Sequence, residues 1–333
     1  MRIGKVSNTV LQRSVMKQIK HRRDEVILPA GVGEDCGAFK VGTGENLLVS
    51  TQSITGTEQE LGELAVHGVV NSLAASGAKT IGITVNILLP EQVREIVIKR
   101  VISQMEEVCS QLLIEILEVN AEVTKAVNQP LLTITGFGSC KKGELVPTKG
   151  LQAGNDLVMT KWTGLLGTAR LATKHLEELT QKYTNDFISE ATEFTRYSSV
   201  VEEADIAKQV GVTCMHYVAE RGIYGALWDL SLAAGVGFEV ELEKIPIRQE
   251  TVEVCEFYDL NPYQLMAGGS LLIGTDHVNA MVKLFREAGI SAEVIGKAVK
   301  GNDKIIIREG ERFSLEPPKS DEFYEVSSKI KIV

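Results

Sequence analysis

Apolar residues recur along the chain with two different periods. From Ile81 to Leu89 they occupy every second position, which predicts a strand with one buried face. After Pro90 they recur every three or four positions as far as Leu112, which predicts a long amphipathic helix. Because strand-like and helix-like segments alternate in this way as far as Arg308, the pattern predicts an α/β (α+β) protein.

The segment Ser50–Ala78 is the most informative part of this pattern. A short apolar run at residues 47–49 predicts a strand that stops at Ser50. The polar residues 51–53 would then stand at the end of that strand, and Gly56 breaks the chain after them. Since binding residues are often carried by loops that a strand holds in place, these polar residues are candidates for a site.

A helix is predicted to follow this turn. Thr57 and Glu60 have the spacing of a capping box, so the helix should begin near Glu58. Gly68 lies inside it, where glycine is less favourable than alanine by about 1 kcal/mol, and this indicates a close backbone approach. One helix face is apolar, and a second face carries polar residues that the spacing alone predicts to be solvated (Glu60, Glu63, His67 and Asn71).

Length and the placement of glycine and proline predict two domains. A chain of 333 residues exceeds the size of one ordinary core. Gly143, Pro147, Gly150 and Gly154 cluster within a short segment, which is typical of a domain junction. We therefore expect domains at residues 1–150 and 151–318, followed by a peripheral tail at residues 319–333.

Composition narrows the class of partner. The formal net charge is −9, and no basic run is longer than Lys20–Arg23, so a nucleic-acid groove is not expected. The sequence shows no signal peptide and no apolar run long enough to span a bilayer, which predicts a cytoplasmic protein without membrane contact. The five scattered cysteines lack the spacing of a zinc site or a redox pair, so we expect reduced thiols.

Polar residues near predicted strand ends and loops are the remaining candidates for chemistry. The glycine-rich segment Gly31–Phe39 can present backbone amides around Glu34 and Asp35, although alone it is equally typical of an acidic turn. A magnesium–nucleotide site recruits carboxylates from separate loops, and only Asp35 and Glu122 offer them in suitable places. No histidine lies in a motif typical of nucleophilic catalysis, so no catalytic residue is assigned. The other polar candidates are Thr51, Gln52, Ser53, Asn71, Ser72, Asn120 and Thr124.

The order of six motifs resembles the aminoimidazole ribonucleotide (AIR) synthetase superfamily, over about residues 1–318. The resemblance is strongest to its hydrogenase maturation protein E branch. It is specific because the six motifs agree in order and spacing, although each alone is weak. The motifs are GVGEDCGAF (Gly31–Phe39), STQSITG (Ser50–Gly56), VNSLAASGA (Val70–Ala78), AEVTKAVNQP (Ala121–Pro130), MHYVAERGIYGALWD (Met215–Asp229) and CEFYDLNPYQLMAGGSLLIGTD (Cys255–Asp276).

The resemblance implies a fold, a cofactor and a chemistry. It implies an N-terminal α/β domain whose sheet joins that of a second subunit in a barrel, and a C-terminal α/β domain. It further implies ATP in a cleft between the domains, Mg²⁺ held by aspartates, and phosphoryl transfer. On this basis the predicted metal ligand is Asp35, and the predicted nucleotide-binding residues are Gly33, Asp35, Thr51, Gln52, Asn71, Ser72, Asn120 and Glu122.

The chain departs from the family pattern at several of these positions. Gln52 and Ser72 each stand where the family has aspartate, and neither supplies charge to a metal. Residues 118–121 replace the Gly-Gly-His-Thr or Gly-Gly-Asp-Thr of the family. The chain ends in Val333 and lacks the C-terminal cysteine of hydrogenase maturation protein E. In the second domain, residues of other types stand where similar proteins have Asp, Thr and Gly (Tyr217, Ala219 and Arg221).

Two hypotheses of function follow. The first is an ATP-binding enzyme of this superfamily with altered metal ligation. The second is a non-catalytic relative that serves as a nucleotide sensor or a dimeric scaffold. The resemblance implies a homodimer under both hypotheses, and both allow a protein partner. The enzyme and the sensor would bind a nucleotide, whereas a scaffold need not.

Overall fold

The computed structural model describes residues 4–5, 10–28, 38–39, 41–56 and 58–329. The chain divides into two compact units, Met1–Leu145 and Val146–Val333. The junction predicted from glycine and proline lies a few residues further along, between residues 150 and 151.

In the first unit, most of the chain builds one mixed sheet. The described residues give it the strand order β1-β6-β5-β7-β4. β5 runs parallel to β6 and antiparallel to β7, and β4 pairs with β7 along its whole length. The strands of this unit are β1 (Gly4–Lys5), β2 (Val26–Leu28), β3 (Ala38–Phe39), β4 (Glu45–Thr55), β5 (Lys79–Leu89), β6 (Glu115–Val123) and β7 (Leu131–Lys141), of which β2 and β3 form a separate pair.

Two helices cover one face of this sheet. Helix α1 (Leu61–Ala75) packs on β4 and β7, and helix α2 (Glu95–Leu112) packs against α1. A Cβ atom on Gly136 of β7 would lie only 3.0 Å from Leu73 Cδ1, so glycine lets α1 lie close to the sheet. A short π-helix, Leu11–Met16, lies near the N-terminus.

Two strand boundaries differ from the predicted ones. β4 continues to Thr55 rather than stopping at Ser50, because β7 pairs with residues 51–55 and offers hydroxyl partners to Thr51 and Ser53. The apolar run Ile114–Leu117 predicts a strand that gives way to a loop at residue 118, but β6 extends to Val123. Buried Val119, Ala121 and Val123 alternate there with polar residues, which is the period of a strand with one covered face.

The start of α1 is held by a residue that the sequence analysis did not consider. Gln104 of α2 accepts a hydrogen bond from Gly62 N–H at 3.0 Å, and its Nε2 donates to the carbonyls of Glu58 and Gln59 at 3.0 and 2.7 Å. The helix begins at Leu61 rather than near Glu58. Thr57, the residue of the predicted capping box, lies outside the described residues.

The second unit is a mixed sheet covered by helices. Its strand order, over the described residues, is β14-β13-β10-β12-β8-β11-β9. The strands are β8 (Asp156–Thr160), β9 (Cys214–Val218), β10 (Gly237–Glu241), β11 (Ser270–Thr275), β12 (Ala292–Val299), β13 (Lys304–Arg308) and β14 (Glu311–Ser314). The helices are α3 (Leu165–Lys174), α4 (Leu176–Leu179), α5 (Asn185–Thr192), α6 (Val201–Val210), α7 (Gly222–Ala234), α8 (Gln249–Tyr258), α9 (Val278–Glu287) and α10 (Glu322–Lys329).

Its apolar core has two main parts. In one, Ile223 and Leu227 of α7 pack on the sheet against residues such as Phe238 and Leu272. In the other, helices α3, α5, α8 and α10 bury apolar residues between them (Leu171, Ile188, Val254, Phe323 and Val326).

The C-terminal segment is part of this core and not a peripheral tail as predicted. Phe323 and Val326 of α10 are 8% and 1% exposed. Just before them, the Asp321 carboxylate accepts hydrogen bonds from the backbone N–H groups of Arg221 at 2.5 Å, Met266 at 3.3 Å and Phe323 at 2.9 Å. Burial raises the pKa of Asp321 to about 6. The segment is therefore fastened to the second unit by both apolar and polar contacts.

Four cysteines in the described chain are free thiols, and all four are buried. Cys109 and Cys140 belong to the first unit, and Cys214 and Cys255 to the second. Burial raises the pKa of Cys214 and of Cys255 to about 12. Across the described residues, the search for a helix that is both long enough and apolar enough to traverse a bilayer finds none.

Candidate functional site

Gln52 joins β4 to helix α1 through its side-chain amide. Its Nε2 atom donates to Gly68 O at 3.0 Å and to Ser72 Oγ at 3.1 Å. The Ser72 hydroxyl in turn donates to Gly68 O at 3.0 Å. These three groups form a closed hydrogen-bonded set, which we call the Gln52–Gly68–Ser72 triangle.

Gly68 is required by this triangle. A Cβ atom at position 68 would lie 2.3 Å from Gln52 Oε1, which is far inside van der Waals contact. The close backbone approach that the sequence analysis inferred at Gly68 is therefore present, and its partner is the Gln52 side chain. The carbonyl of Gly68 takes part as an acceptor, a role that sequence alone did not indicate.

The triangle does not have the chemistry of a magnesium site. Mg²⁺ prefers anionic oxygen ligands in an octahedral arrangement. Here the two positions that the family pattern fills with aspartate are uncharged and bonded to each other. Within the described ranges, no group of three His, Cys, Asp or Glu residues could hold a metal ion. The described residues therefore do not fit the magnesium that the family implies.

The remaining predicted residues do not join this triangle. Gly33 and Asp35, including the predicted metal ligand, lie outside the described residues. Thr51 precedes Gln52 on a continuous strand, so its side chain points to the opposite face of the sheet. There its Oγ1 atom lies 2.9 Å from Thr135 Oγ1 of β7.

Asn120 and Glu122 lie on the same sheet face as Thr51. Asn120 Nδ2 donates to Asn86 Oδ1 of the neighbouring strand β5 at 2.9 Å. Strands β5 and β7 separate β6 from β4, so about 14 Å of sheet lies between Asn120 and the β4 residues. Asn120 and Glu122 thus belong to strand β6 rather than to a loop, and their assignment to a nucleotide site stays a prediction.

The polar stripe of α1 is buried rather than solvated. His67 is 9% exposed and Asn71 is fully buried, so the solvated-face prediction is wrong for both. Glu63 on the same stripe is half-buried, and burial, followed by the charges of Glu107 and Glu60, raises the pKa of its carboxyl. The stripe is buried because helix α1 is covered on nearly all sides, whereas a surface helix would leave its polar stripe in water.

Arg221, just before α7 in the second unit, has a left-handed backbone conformation. Arg221 stands where similar proteins have glycine, and its φ of 64° lies in the left-handed region that favours glycine. Its Nη2 atom donates to Asp229 Oδ2 at 2.7 Å. Arg221 therefore precedes α7 in a backbone conformation that glycine adopts more readily than other residues.

Comparison with known families agrees with the motifs and the fold. The N-terminal domain model of AIR synthase related proteins matches residues 33–140, and the corresponding C-terminal domain model matches residues 152–309. The chain belongs to the AIR synthase related protein family. Family membership confirms the resemblance found in the sequence, and the two-domain α/β fold is confirmed with it.

Hydrogenase maturation proteins are among its relatives. A putative hydrogenase expression/formation protein of Methanocaldococcus jannaschii is 22% identical over 74% of this chain and 73% of its own length. Carbamoyl dehydratase HypE of Rhodobacter capsulatus is 25% identical over 77% of this chain and 76% of its own length. The prediction of a hydrogenase maturation factor-like protein of this family is thus confirmed.

Solved structures show the same fold. The crystal structure of the hydrogenase maturation protein HypE in complex with ATP matches with a TM-score of 0.80 at 16% identity, covering 95% of each chain. A crystal structure of a HypE–HypF complex matches with a TM-score of 0.69 at 18% identity, covering 86% of this chain and 93% of that chain.

Proposed function

We propose that this protein is a homodimeric, ATP-binding member of the hydrogenase maturation branch that does not use the two-aspartate magnesium site of its family. It acts in the cytoplasm as a nucleotide-responsive partner of another protein rather than as a phosphoryl-transfer enzyme. The observation that carries this proposal is the Gln52–Gly68–Ser72 triangle.

The triangle argues against catalysis because its side chains carry no charge with which to hold a metal ion. Phosphoryl transfer depends on metal ions that neutralise the charge developing on the phosphate oxygens. An amide and a hydroxyl contribute no net charge, and here both are already engaged with each other and with a backbone carbonyl. The second hypothesis of the sequence analysis, a non-catalytic relative, therefore fits the described residues better than the first.

The proposals that this chain binds ATP and a protein partner are supported by the structures of its relatives. A HypE structure contains ATP, and another contains HypF, and both share this fold along most of the chain. Dimerisation has additional support from the face of the first sheet that the described chain covers only partly, where Leu47 and Val49 of β4 are 51% and 55% exposed. Large apolar side chains side by side on one sheet face are typical of an interface.

An active enzyme remains the competing proposal. The curated relatives include carbamoyl dehydratases, and this chain keeps carboxylates at Asp35 and Glu122. Such an enzyme would need magnesium in order to bind and use ATP. The dependence of ATP binding on magnesium therefore distinguishes the two proposals.

The test is the thermal stability of the protein with ATP, measured with magnesium and with a chelator. Ligand binding to the folded state stabilises it by RT ln(1 + [L]/Kd), about 2.7 kcal/mol when ATP is at 100 times its Kd. We expect the same rise in Tm under both conditions and no release of phosphate. A rise that requires magnesium supports the enzyme, and no rise at about 1 mM ATP contradicts nucleotide binding itself.

A double variant sharpens this experiment. Gln52→Asp with Ser72→Asp restores the charges of the family pattern, and we expect the ATP response to become stronger in magnesium than in chelator. Gln59→Asp is the matched control, because Gln59 is exposed and its side chain is outside the triangle. If the double variant responds like the control, residues 52 and 72 do not face the nucleotide.

A further inference from the structure

A cavity of about 390 Å³ lies in the second unit between the end of β13, the chain after it and helix α7. This volume is within the range of small-molecule sites. Part of its wall is formed by Phe313 to Lys319, beyond residue 309 where the match to the C-terminal family model ends. The cavity is therefore built in part by a segment that the family model does not include.

The walls of the cavity are fixed by hydrogen bonds, ring stacking and proline. Leu315 N–H donates to Lys304 O at 2.7 Å, which ties the segment after β14 to β13. Pro317 and Pro318 follow, and their rings fix φ. On the other side, the ring of Tyr224 stacks on Tyr263 with centroids 5.5 Å apart and 17° between the planes. The cavity is thus formed before any ligand arrives.

Two cations without a close partner line the cavity. Arg308 and Lys319 both contribute to its surface, and neither forms an ion pair with any residue that the structure describes. Glu316 is a carboxylate in the same lining. Glu243 lies near Arg308, and its carboxylate accepts the backbone N–H of Glu309 at 2.8 Å. The lining itself carries one more positive than negative charge.

The same lining offers an aromatic surface. Phe313 lies opposite Ile306 in the β13–β14 pair and is 48% exposed, which is unusual for a large apolar ring. The Tyr224 hydroxyl makes no hydrogen bond to the described residues, and burial raises the pKa of its phenol to about 12. The Tyr224 phenol therefore stays protonated at neutral pH and can donate a hydrogen bond to a ligand.

We propose that this cavity binds a small planar anion, an aromatic ring that carries a phosphate or a carboxylate. The ring packs on Phe313 and the prolines, and the anionic group binds Arg308 and Lys319. Charge-assisted hydrogen bonds of this kind are stronger than neutral ones, and aromatic side chains supply most of the contact area in small sites. The site is independent of the Gln52–Gly68–Ser72 triangle and of the proposed function.

The test measures the binding of simple probes to the full chain by titration calorimetry and ligand-observed NMR. Phenyl phosphate and benzoate represent the two anionic groups, and inorganic phosphate and phenol represent the separate parts. We expect phenyl phosphate, benzoate or both to bind with a Kd on the order of 1 mM, as is usual for ligands of this size, and each part alone to bind much more weakly. Preference between the two probes identifies the anionic group.

Three variants locate the binding. Arg308→Gln should weaken binding at least about tenfold, and Tyr224→Phe should weaken it less, because a charged hydrogen bond contributes more than a neutral one. Arg312→Gln is the matched control, since Arg312 is an exposed arginine of β14 that pairs with Glu239 at 2.7 Å outside the cavity. The rise in Tm that ATP produces should be the same in Arg308→Gln as in the parent, which would show that this cavity is not the nucleotide site.

Two results overturn the proposal. One is the absence of binding by both anionic aromatic probes at about 10 mM, well above the affinity expected for such ligands. The other is an equal loss of binding in Arg308→Gln and Arg312→Gln, which would mean that general surface charge attracts the probes.

Discussion

Gly68 is the residue at which helix α1 and strand β4 come closest through a side chain. The Gln52 amide reaches the carbonyl of Gly68 because no Cβ atom stands between them. In an isolated helix alanine at this position would be favoured, by about 1 kcal/mol. The tertiary contact outweighs that preference, so the two residues should depend on each other in stability.

The Gly68→Ala variant tests this dependence. The new methyl group displaces the Gln52 side chain and breaks its hydrogen bonds, each of which contributes about 1 kcal/mol. We expect net destabilisation in the parent, but no destabilisation in a Gln52→Ala background, where the methyl group has room. Urea unfolding of the four proteins measures the coupling energy, which should be on the order of 1 kcal/mol or more. Equal effects of Gly68→Ala in both backgrounds would contradict the role of Gln52.

The sequence predicted the importance of Gly68 but not the arrangement of the candidate site. A glycine inside an apolar helix signals close approach without naming the partner. Thr51 and Gln52 were grouped as neighbours, although consecutive residues of a strand face opposite sides. That separation depends on β4 continuing past Ser50, which is decided by pairing with a strand some eighty residues away in the sequence.

At the level of elements, segments with a strong local pattern were predicted best. Gly222 and Gly225 predict the start of a helix that runs through Ala234, and these are the bounds of α7. The strand predicted at Lys304–Arg308 likewise has the bounds of β13. The end of β6 was missed, even though residues 118–123 alternate polar and apolar types, because the strand was predicted only from the apolar run that ends at Leu117. Helix α10 was missed because its burial comes from distant helices and leaves only a weak local signal.

The segment that leads into α10 should make stability depend on pH. Asp321 has a pKa of about 6 in the folded protein, against 3.8 for an ordinary aspartate. The folded state therefore binds more protons than the unfolded state between these values, and stability should fall as pH rises from about 4 to about 6, by up to about 3 kcal/mol. Above pH 6 this contribution is lost and stability no longer changes on account of Asp321.

Asp321→Asn isolates this effect. The asparagine cannot ionise, so the unfolding free energy of the variant should fall less than that of the parent between pH 4.5 and pH 7. The difference between the two falls, measured by urea unfolding, should be on the order of 1–3 kcal/mol. The asparagine also loses one acceptor oxygen at Arg221 N–H, so it should be less stable than the parent at low pH. Asp303→Asn, at an exposed position, is the control and should keep the slope of the parent. Parallel slopes for the parent and Asp321→Asn would show that Asp321 is not the titrating group.

On the scale of the whole molecule, the first sheet has one face under helices and another that the described chain covers only partly. On the second face, β4 and β7 carry pairs of hydroxyls, Thr51 with Thr135 and Ser53 with Thr133, beside Leu47 and Val49. A single chain gives this face no function. The predicted barrel with a second subunit would cover it.

Val49→Asp tests the predicted homodimer. A carboxylate in place of a 55% exposed valine on this face would be buried without a partner in a dimer, so we expect the variant to be monomeric by light scattering where the parent is dimeric. Val41→Asp, 38% exposed in a loop before β4, should leave the mass unchanged. A monomeric parent would contradict the homodimer and leave the fold assignment intact.

The placement of the buried cysteines gives each unit its own reporter of opening. Cys109 and Cys140 lie in the first unit, and Cys214 and Cys255 in the second, so a thiol reagent can reach either pair only when that unit opens. The reagent reacts with the thiolate, and burial disfavours the thiolates of Cys109, Cys214 and Cys255 in the folded state. The rate at which each thiol is modified is therefore a measure of local unfolding. Thiol modification of the unaltered chain can therefore compare how fast the two units open.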